Sequence, residues 1–415
     1  MAKSILKGAA KAEAKDVGSD DTVSTTTTTK KTPSSKIQFR VFVGSYEHNL
    51  LCLSVLLDPT QKSEAMFQPI FHFEAHSLAI KSIDLAKRYL VTGSKDEHIR
   101  IYDLQKRKEL GDLMGHQGTV TALKFSMEGT EDDVEKSGKW LLSGSEDGKI
   151  LIWRTKDWEL FGTLKGHTDR VTDVAIHPSG RVAISVSADH TIRLWNLLTA
   201  KKAAVLKIKG KDHLGQYGDF VRWSASGDNF IVGLQNQLLI YATTEAKIIH
   251  KMKIPRTLMC GQVYTIEGTE YFVAGLGNGT IQFYLLSDLI EGKETVAFEL
   301  VGHANRIKDL TLFSGPEDTQ GIPYLISVSS DGRLVVWDLR ESVRDQVAVY
   351  DTGERLNCVV ACAESVEKAS TMKKRTQEID YQSESEYESD GETRKLMVGK
   401  KKKGKKMRKV TVTRE

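Results

Sequence analysis

Ser143 to Trp153 reads SGSEDGKILIW. A small hydroxyl-bearing start, an Asp-Gly turn and an apolar run closed by an aromatic are the ingredients of two antiparallel strands joined by a tight turn. The block recurs as TGSKDEHIRIYD (Thr92 to Asp103), SVSADHTIRLWN (Ser185 to Asn196) and SVSSDGRLVVWD (Ser327 to Asp338). Two weaker copies, GLQNQLLIYA (Gly233 to Ala242) and GLGNGTIQFY (Gly275 to Tyr284), carry Asn where the others carry Asp. A seventh, VGSYEHNLLCL (Val43 to Leu53), precedes them all. The closing aromatics Tyr102, Trp153, Trp195, Tyr241, Tyr284 and Trp337 lie 42 to 53 residues apart.

That interval sits close to the ~40–45 residues of a WD repeat once loop insertions such as Met127 to Lys139 are allowed, and far from the ~34 of a tetratricopeptide unit. Ahead of each strong copy stands a histidine: His76, His116, His167 and His303, three of them preceded by glycine. These blocks resemble WD-repeat β-propellers, in which each blade is a four-stranded antiparallel sheet. The resemblance implies hydrogen-bonded tetrads of His116, Ser143, Asp147 and Trp153; of His167, Ser185, Asp189 and Trp195; and of His303, Ser327, Asp331 and Trp337. His76, Thr92 and Asp96 match with Tyr102 in the aromatic place, and in all four sets the hydroxyl precedes the Asp by four residues. A buried carboxylate and a buried imidazole are each costly alone, and satisfying one another turns that cost into rigidity. Ser, His and Asp together also suggest a hydrolase triad. A constellation repeated four times in one chain argues for structure instead, since an active site need occur once. The blades closed by Tyr241 and Tyr284 lack both His and Asp, so apolar packing between neighbouring sheets must hold them.

Sheet edges argue for ring closure. The Val43 to Leu53 copy supplies two inner strands and Pro69 to Glu74 an outer one, with no innermost strand ahead of them. The last apolar stretch, Arg355 to Ala363 (RLNCVVACA), has no partners after it. Pairing the two completes a seventh blade and removes two exposed edges. The expected fold is therefore all-β: a seven-bladed propeller over 38–363, with a disordered tail at 1–37, an acidic Ser-rich linker at 364–393 and a basic tail at 394–415.

A chain of 415 residues with 40% hydrophobic and 27% charged residues supports a large core and excludes global disorder. The formal net charge of +4 conceals an asymmetry. Arg394 to Glu415 holds eleven Lys or Arg against one Glu, whereas Glu378 to Glu392 holds seven carboxylates and no base. The basic tail, with Lys400, Lys401, Lys402, Lys403, Lys405, Lys406, Arg408 and Lys409 at its centre, reads as a nuclear or nucleolar address and a phosphate-contacting arm. It has no interleaved aromatic for base stacking. Ser383, Ser385 and Ser389 each precede an acid by three residues, the pattern of acidophilic phosphorylation sites. No apolar run reaches membrane-spanning length, and the N-terminus lacks the apolar middle of a secretory signal, so no membrane is expected and the chain reads as intracellular. Cys52, Cys260, Cys358 and Cys362 form neither a disulfide framework nor a zinc knuckle, and Cys358 and Cys362 should share one buried strand face.

Beyond the generic repeat, VTGSKDEHIRIYDLQKRKELG (Val91 to Gly111), LLSGSEDGKILIWRTKDWE (Leu141 to Glu159), AIHPSGRVAISVSADHTIRLWNL (Ala175 to Leu197) and GHANRIKDL (Gly302 to Leu310) resemble the PAK-interacting proteins of animals and their fungal counterpart, a maintenance-of-killer ribosome-assembly factor. The resemblance implies a nucleolar protein needed for precursor large (60S) ribosomal subunits, reported in animals also to restrain p21-activated kinases. The expectation is a non-catalytic scaffold without cofactor or metal. It would be a monomer within a larger complex that binds ribosomal proteins or assembly factors on the precursor particle, with possible rRNA contact through the tail. In WD proteins the loops around the His turn and the turn Asp form the ligand-binding face, which makes Lys95, Arg170, Arg193, Arg306, Lys308 and Arg333 the partner-contact candidates. Two alternatives stand beside it: a kinase-regulating adaptor, and a substrate receptor for a cullin-type ubiquitin ligase, suggested by Trp337-Asp338-Leu339-Arg340.

Overall fold

Sequence blocks of alternating apolar residues become strands buried on both faces, because each sheet is sandwiched between two others. The computed structural model describes residues 36–58, 65–127, 138–208, 215–315, 321–364 and 366. They form seven four-stranded antiparallel sheets. The first blade joins β1 (Ile37–Ser45), β2 (Asn49–Leu57) and β3 (Met66–Glu74) to the last strand of the chain. The second holds β4 (Ile80–Ala86), β5 (Tyr89–Ser94), β6 (Ile99–Asp103) and β7 (Lys108–Leu113). The third holds β8 (Val120–Phe125), β9 (Trp140–Ser145), β10 (Lys149–Arg154) and β11 (Glu159–Lys165). The fourth holds β12 (Val171–Ile176), β13 (Val182–Ser187), β14 (Thr191–Asn196) and β15 (Lys201–Lys207). The fifth holds β16 (Phe220–Trp223), β17 (Asn229–Gly233), β18 (Gln237–Ala242) and β19 (Lys247–Lys253). The sixth holds β20 (Leu258–Ile266), β21 (Thr269–Leu276), β22 (Thr280–Leu285) and β23 (Val296–Val301), with the five-residue helix α1 (Leu286–Ile290) between its last two strands. The seventh holds β24 (Ile307–Ser314), β25 (Pro323–Ser329), β26 (Arg333–Asp338) and β27 (Asp345–Asp351), and β28 (Leu356–Ala363) returns to the first blade.

The ring is closed by that return. β1 pairs antiparallel with β2 and with β28, so Phe39 stands opposite both Val55 and Ala363. The innermost strands β28, β4, β8, β12, β16, β20 and β24 touch in that order, and β24 touches β28 again. Arg40 and Glu364, both buried, form an ion pair of 2.8 Å beside the joined strands. Phe39 also stacks on Phe313 at 4.5 Å, tying the first blade to the seventh.

The core is distributed over seven apolar clusters, one at each seam between adjacent blades. Middle strands such as β25 (PYLISVS) are buried along their whole length, whereas outer strands such as β11 (ELFGTLK) and β15 (KKAAVLK) expose most of theirs. Lysines on the outer strands keep these edges from pairing with other chains. Close approach explains Gly93 on β5, where an added Cβ would lie 2.6 Å from Val120 of the next blade and 2.8 Å from Ser82 Oγ. The four cysteines are buried, and Cys358 and Cys362 both face the seam between the first two blades.

Candidate functional site

Three blades carry the same polar chain. In the fourth blade Trp195 Nε1 donates to Ser185 Oγ at 2.8 Å, Ser185 lies 2.7 Å from His167 Nε2, and His167 Nδ1 lies 2.9 Å from Asp189 Oδ2. The third blade repeats it with Trp153, Ser143, His116 and Asp147 at 2.9, 2.8 and 3.3 Å. The seventh does so with Trp337, Ser327, His303 and Asp331 at 2.8, 2.8 and 3.3 Å. The second strand supplies the hydroxyl, the third the indole, the loop ahead of the first strand the imidazole, and the hairpin turn the carboxylate.

Each carboxylate also caps its own turn. Asp189 accepts from the backbone N–H groups of Thr168 at 3.2 Å and Thr191 at 2.9 Å, and from the Thr191 hydroxyl at 2.6 Å. Burial works against its ionisation, but the hydrogen bonds from Thr191 and His167 outweigh it and hold the carboxyl at about 2. Burial pushes His116, His167 and His303 below the usual imidazole range despite the acid beside each. A neutral ring between an anion and a hydroxyl has one consistent arrangement, in which Nδ1–H donates to Asp and Nε2 accepts from Ser. The donor direction therefore runs from indole to serine to histidine to carboxylate. A hydrolase triad has the same polarity. Here the serine oxygen is fully buried and already receives an indole N–H, so no substrate can reach it.

The second blade departs from this. His76 Nε2 lies 2.8 Å from Thr92 Oγ1, and Nδ1 lies 2.9 Å from Asp96 Oδ2. Tyr102 stands in the aromatic place, but its buried hydroxyl, though near Thr92 and Arg100, makes no well-aligned hydrogen bond to either, and burial outweighs their influence and pushes it up to about 12. The aromatic position was legible from the repeat; the missing bond was not, because it depends on where a phenol oxygen lands relative to an indole nitrogen. In the fifth blade ring stacking of Phe230 on Tyr241 at 4.7 Å takes the place of the tetrad; in the sixth, Tyr284 faces the seam with the fifth and donates its hydroxyl to Gln282 at 2.8 Å, while Phe283 stacks on Phe298 at 4.1 Å on the opposite face. In the sixth, Asn278 Oδ1 accepts from Thr280 Oγ1 at 2.8 Å and so does part of the turn work of the missing Asp.

A second polar system, not anticipated from sequence, lines the channel. Side chains of the innermost strands bond across every seam between blades. Asp84 accepts from Phe125 N at 2.7 Å, Asp173 from Val221 N at 3.1 Å, and Asp309 from Val359 N at 3.0 Å. Thr121 donates to Val171 O at 2.7 Å, Asn357 to Ile80 O at 2.9 Å, and Tyr264 to Leu310 O at 2.8 Å. Arg222 completes the set: its guanidinium pairs with Asp173 on one side and donates to Gln262 at 2.7 Å on the other. Burial pushes the Asp84 and Asp309 carboxyls up, with Lys124 opposing it in both cases. The signal was present in RVTDV (Arg170 to Val174) and RIKDL (Arg306 to Leu310), where a carboxylate interrupts an apolar strand. An acid in such a place needs a partner, and the neighbouring blade supplies it.

Comparison with known proteins adds the lineage. The WD domain, G-beta repeat family matches residues 67–103, 107–154 and 158–196. Each match runs from the outer strand of one blade to the third strand of the next, one strand out of phase with the blades. Protein MAK11 of Saccharomyces cerevisiae is 50% identical over 398 residues, covering 89% of this chain and 94% of the relative. A p21-activated protein kinase-interacting protein 1-like protein of Gallus gallus is 33% identical over 74% of this chain and 75% of its own. The chain belongs to the WD-repeat family of MAK11 and the p21-activated protein kinase-interacting proteins. The Shk1 kinase-binding protein 15 of Schizosaccharomyces pombe is more distant, at 27% identity over 78% of this chain and 84% of its own.

In this member of the MAK11 family the six partner-contact candidates do not form one patch. Arg306 and Arg333 are exposed on the side where the innermost strands begin. Lys95 is half-buried above the Tyr46 ring at 5.3 Å. Lys308 is recessed in the channel mouth, near Arg306 and Lys81. Arg170 is exposed and stacks on Tyr217, donating to its hydroxyl at 2.6 Å. Arg193 packs over Gly166 with its guanidinium 3.9 Å from Asp189, so its charge is turned toward the tetrad. Arg340, the residue behind the ligase-receptor alternative, is clamped through Nε and Nη2 by both oxygens of Asp338. The phosphorylation candidates Ser383, Ser385 and Ser389 and the basic tail from Lys400 to Lys409 lie outside the described residues.

Proposed function

We propose that this protein is a non-catalytic docking scaffold for the assembly of precursor large (60S) ribosomal subunits in the nucleolus. The observation that carries the reading is 50% identity to MAK11 over 89% of the chain, combined with the maintenance-of-killer resemblance of its repeats. The propeller supplies rigidity: the His, Ser and Asp groups that could do chemistry are sealed in tetrads, and those of the channel are stitched between blades. What remains free is surface, on which ribosomal proteins or assembly factors would dock, while the basic tail directs the protein to the nucleolus and contacts precursor rRNA.

Affinity purification of the tagged full chain, followed by gradient fractionation, tests this. The expected result is co-sedimentation with precursor large subunits, reduced on deletion of Arg394 to Glu415. Recovery in free fractions alone would refute the assembly role, and unchanged nucleolar and particle association after the deletion would refute the role of the tail. A kinase-binding adaptor is the second reading, favoured by the printed names of the Gallus gallus and Schizosaccharomyces pombe relatives. Its signature in the same purification would be a p21-activated-type kinase recovered apart from ribosomal particles.

A further inference from the structure

We infer that the channel mouth on the side where the innermost strands begin is a receptor for an acidic peptide, one carboxylate of which enters between Lys81 and Lys308. The inference rests on the docking-scaffold reading and names the chemistry of the partner. Lys81 on β4 and Lys308 on β24 project from blades on either side of β28 into a cavity of about 170 Å³. Both are half-buried, and neither side chain has a hydrogen bond or ion pair among the described residues. Burial pushes both ammonium groups down, and neighbouring cations push further: Lys95 on Lys81, and Arg306 together with Lys81 on Lys308. Two lysines held close in this way lack the counter-anion that would relieve them.

The surrounding surface extends the charge. Arg306 and Arg355 line an adjoining cavity of about 290 Å³ with Asn305 and Ser330, and their guanidiniums are likewise unpaired among the described residues. The acids of this side are mostly engaged. Asp96 and Asp331 are bound to their histidines, Glu354 contacts Asn49 and His72, and Glu47 accepts the Arg355 backbone N–H. Glu146 opposes Lys81 from the β9–β10 turn; of the acids lining the same cavity, Asp173 and Asp309 are bonded to backbone N–H groups across their seams and Asp219 feels Arg170. The recess selects the class of ligand. At about 170 Å³ the recess suits a carboxylate on its methylene stem better than a phosphodiester flanked by ribose on both sides.

The test uses the purified full chain with the basic residues from Lys400 to Lys409 changed to Ser, so that the tail does not capture the probe. Fluorescence anisotropy is read with a labelled Glu/Ser decapeptide and, separately, with a labelled uridine decanucleotide. The peptide is expected to bind, and the double substitution Lys81→Gln/Lys308→Gln to weaken it by about tenfold or more. Arg306→Ser/Arg355→Ser, at exposed positions that folding does not need, is expected to weaken it by about threefold. Unchanged peptide affinity in both double variants overturns the inference, as does mouth-dependent binding of the oligonucleotide in place of the peptide. The assay contains no ribosomal particle, so the two readings can fail separately. Peptide binding without co-sedimentation sinks the assembly role alone, and co-sedimentation without peptide binding sinks the acidic-peptide receptor alone.

Discussion

Ser185→Ala should destabilise the protein about twice as much as Thr92→Val. Ser185 Oγ has two partners, receiving the Trp195 indole N–H at 2.8 Å and lying 2.7 Å from His167 Nε2. Removing it leaves both groups buried without partners, each at roughly 1–3 kcal/mol, for a loss of about 4 kcal/mol. Thr92 Oγ1 serves His76 Nε2 at 2.8 Å, while the neighbouring Tyr102 hydroxyl makes no well-aligned bond to it that the substitution would break. Thr92→Val preserves the side-chain shape and orphans one group, for about 2 kcal/mol. Equilibrium urea unfolding of the two variants, followed by far-ultraviolet circular dichroism with the slope m checked for constancy, measures the difference. Equal losses would refute the claim that the second blade holds a triad where the others hold a tetrad. A negligible loss for Ser185→Ala would refute the wider claim that these polar chains hold the blades rigid.

Three further outcomes follow from the geometry. Burial raises the Asp219 carboxyl to about 6, so its stabilising contribution is complete below the unfolded value of 3.8 and is lost as pH rises through 6. Asp219→Asn should therefore stabilise the protein near neutrality by on the order of 2 kcal/mol, and the gain should vanish in urea titrations below pH 4. Gly93→Ala puts a Cβ against Val120 and Ser82 and should cost about 1–3 kcal/mol; an unaltered urea midpoint would show that the seam yields freely. Arg40→Met removes the 2.8 Å ion pair to the buried Glu364 at the ring closure and should cost about 3–5 kcal/mol. Limited proteolysis should then cut first near β1 or β28, and cleavage elsewhere would show that the closure is not the weak point.

How much could be read in advance differs between the two polar systems. The hydroxyl, Asp and aromatic of each set were legible because they sit at fixed offsets within a repeated block, and the family resemblance supplied the histidine, which stands 16 to 27 residues ahead of the hydroxyl. The channel bonds were not, although Asp84, Asp173 and Asp309 stood in plain view as acids within apolar strands. Each bonds to a residue about 40 to 50 positions further along the chain, and only the stacking of blades brings the two together. The partner-contact candidates show the same limit. Lys308 and Arg193 are partner-contact candidates by their positions next to turns; the structure recesses one in the channel and lays the other against its own tetrad.

The sequence by itself determined the number of blades and the closing of the ring by its two ends, because hydrophobic period, turn chemistry and unpaired edges are local properties that a repeated pattern amplifies, and its resemblance to WD repeats implied the residues of each tetrad. Tertiary structure alone decided which polar atoms find partners: that the Tyr102 hydroxyl makes no well-aligned bond, that Arg222 bridges two blades, and that Lys81 and Lys308 share one mouth. Hydrogen bonds and charge pairs act over about 3–4 Å, and distances that short between remote residues are set by how sheets stack.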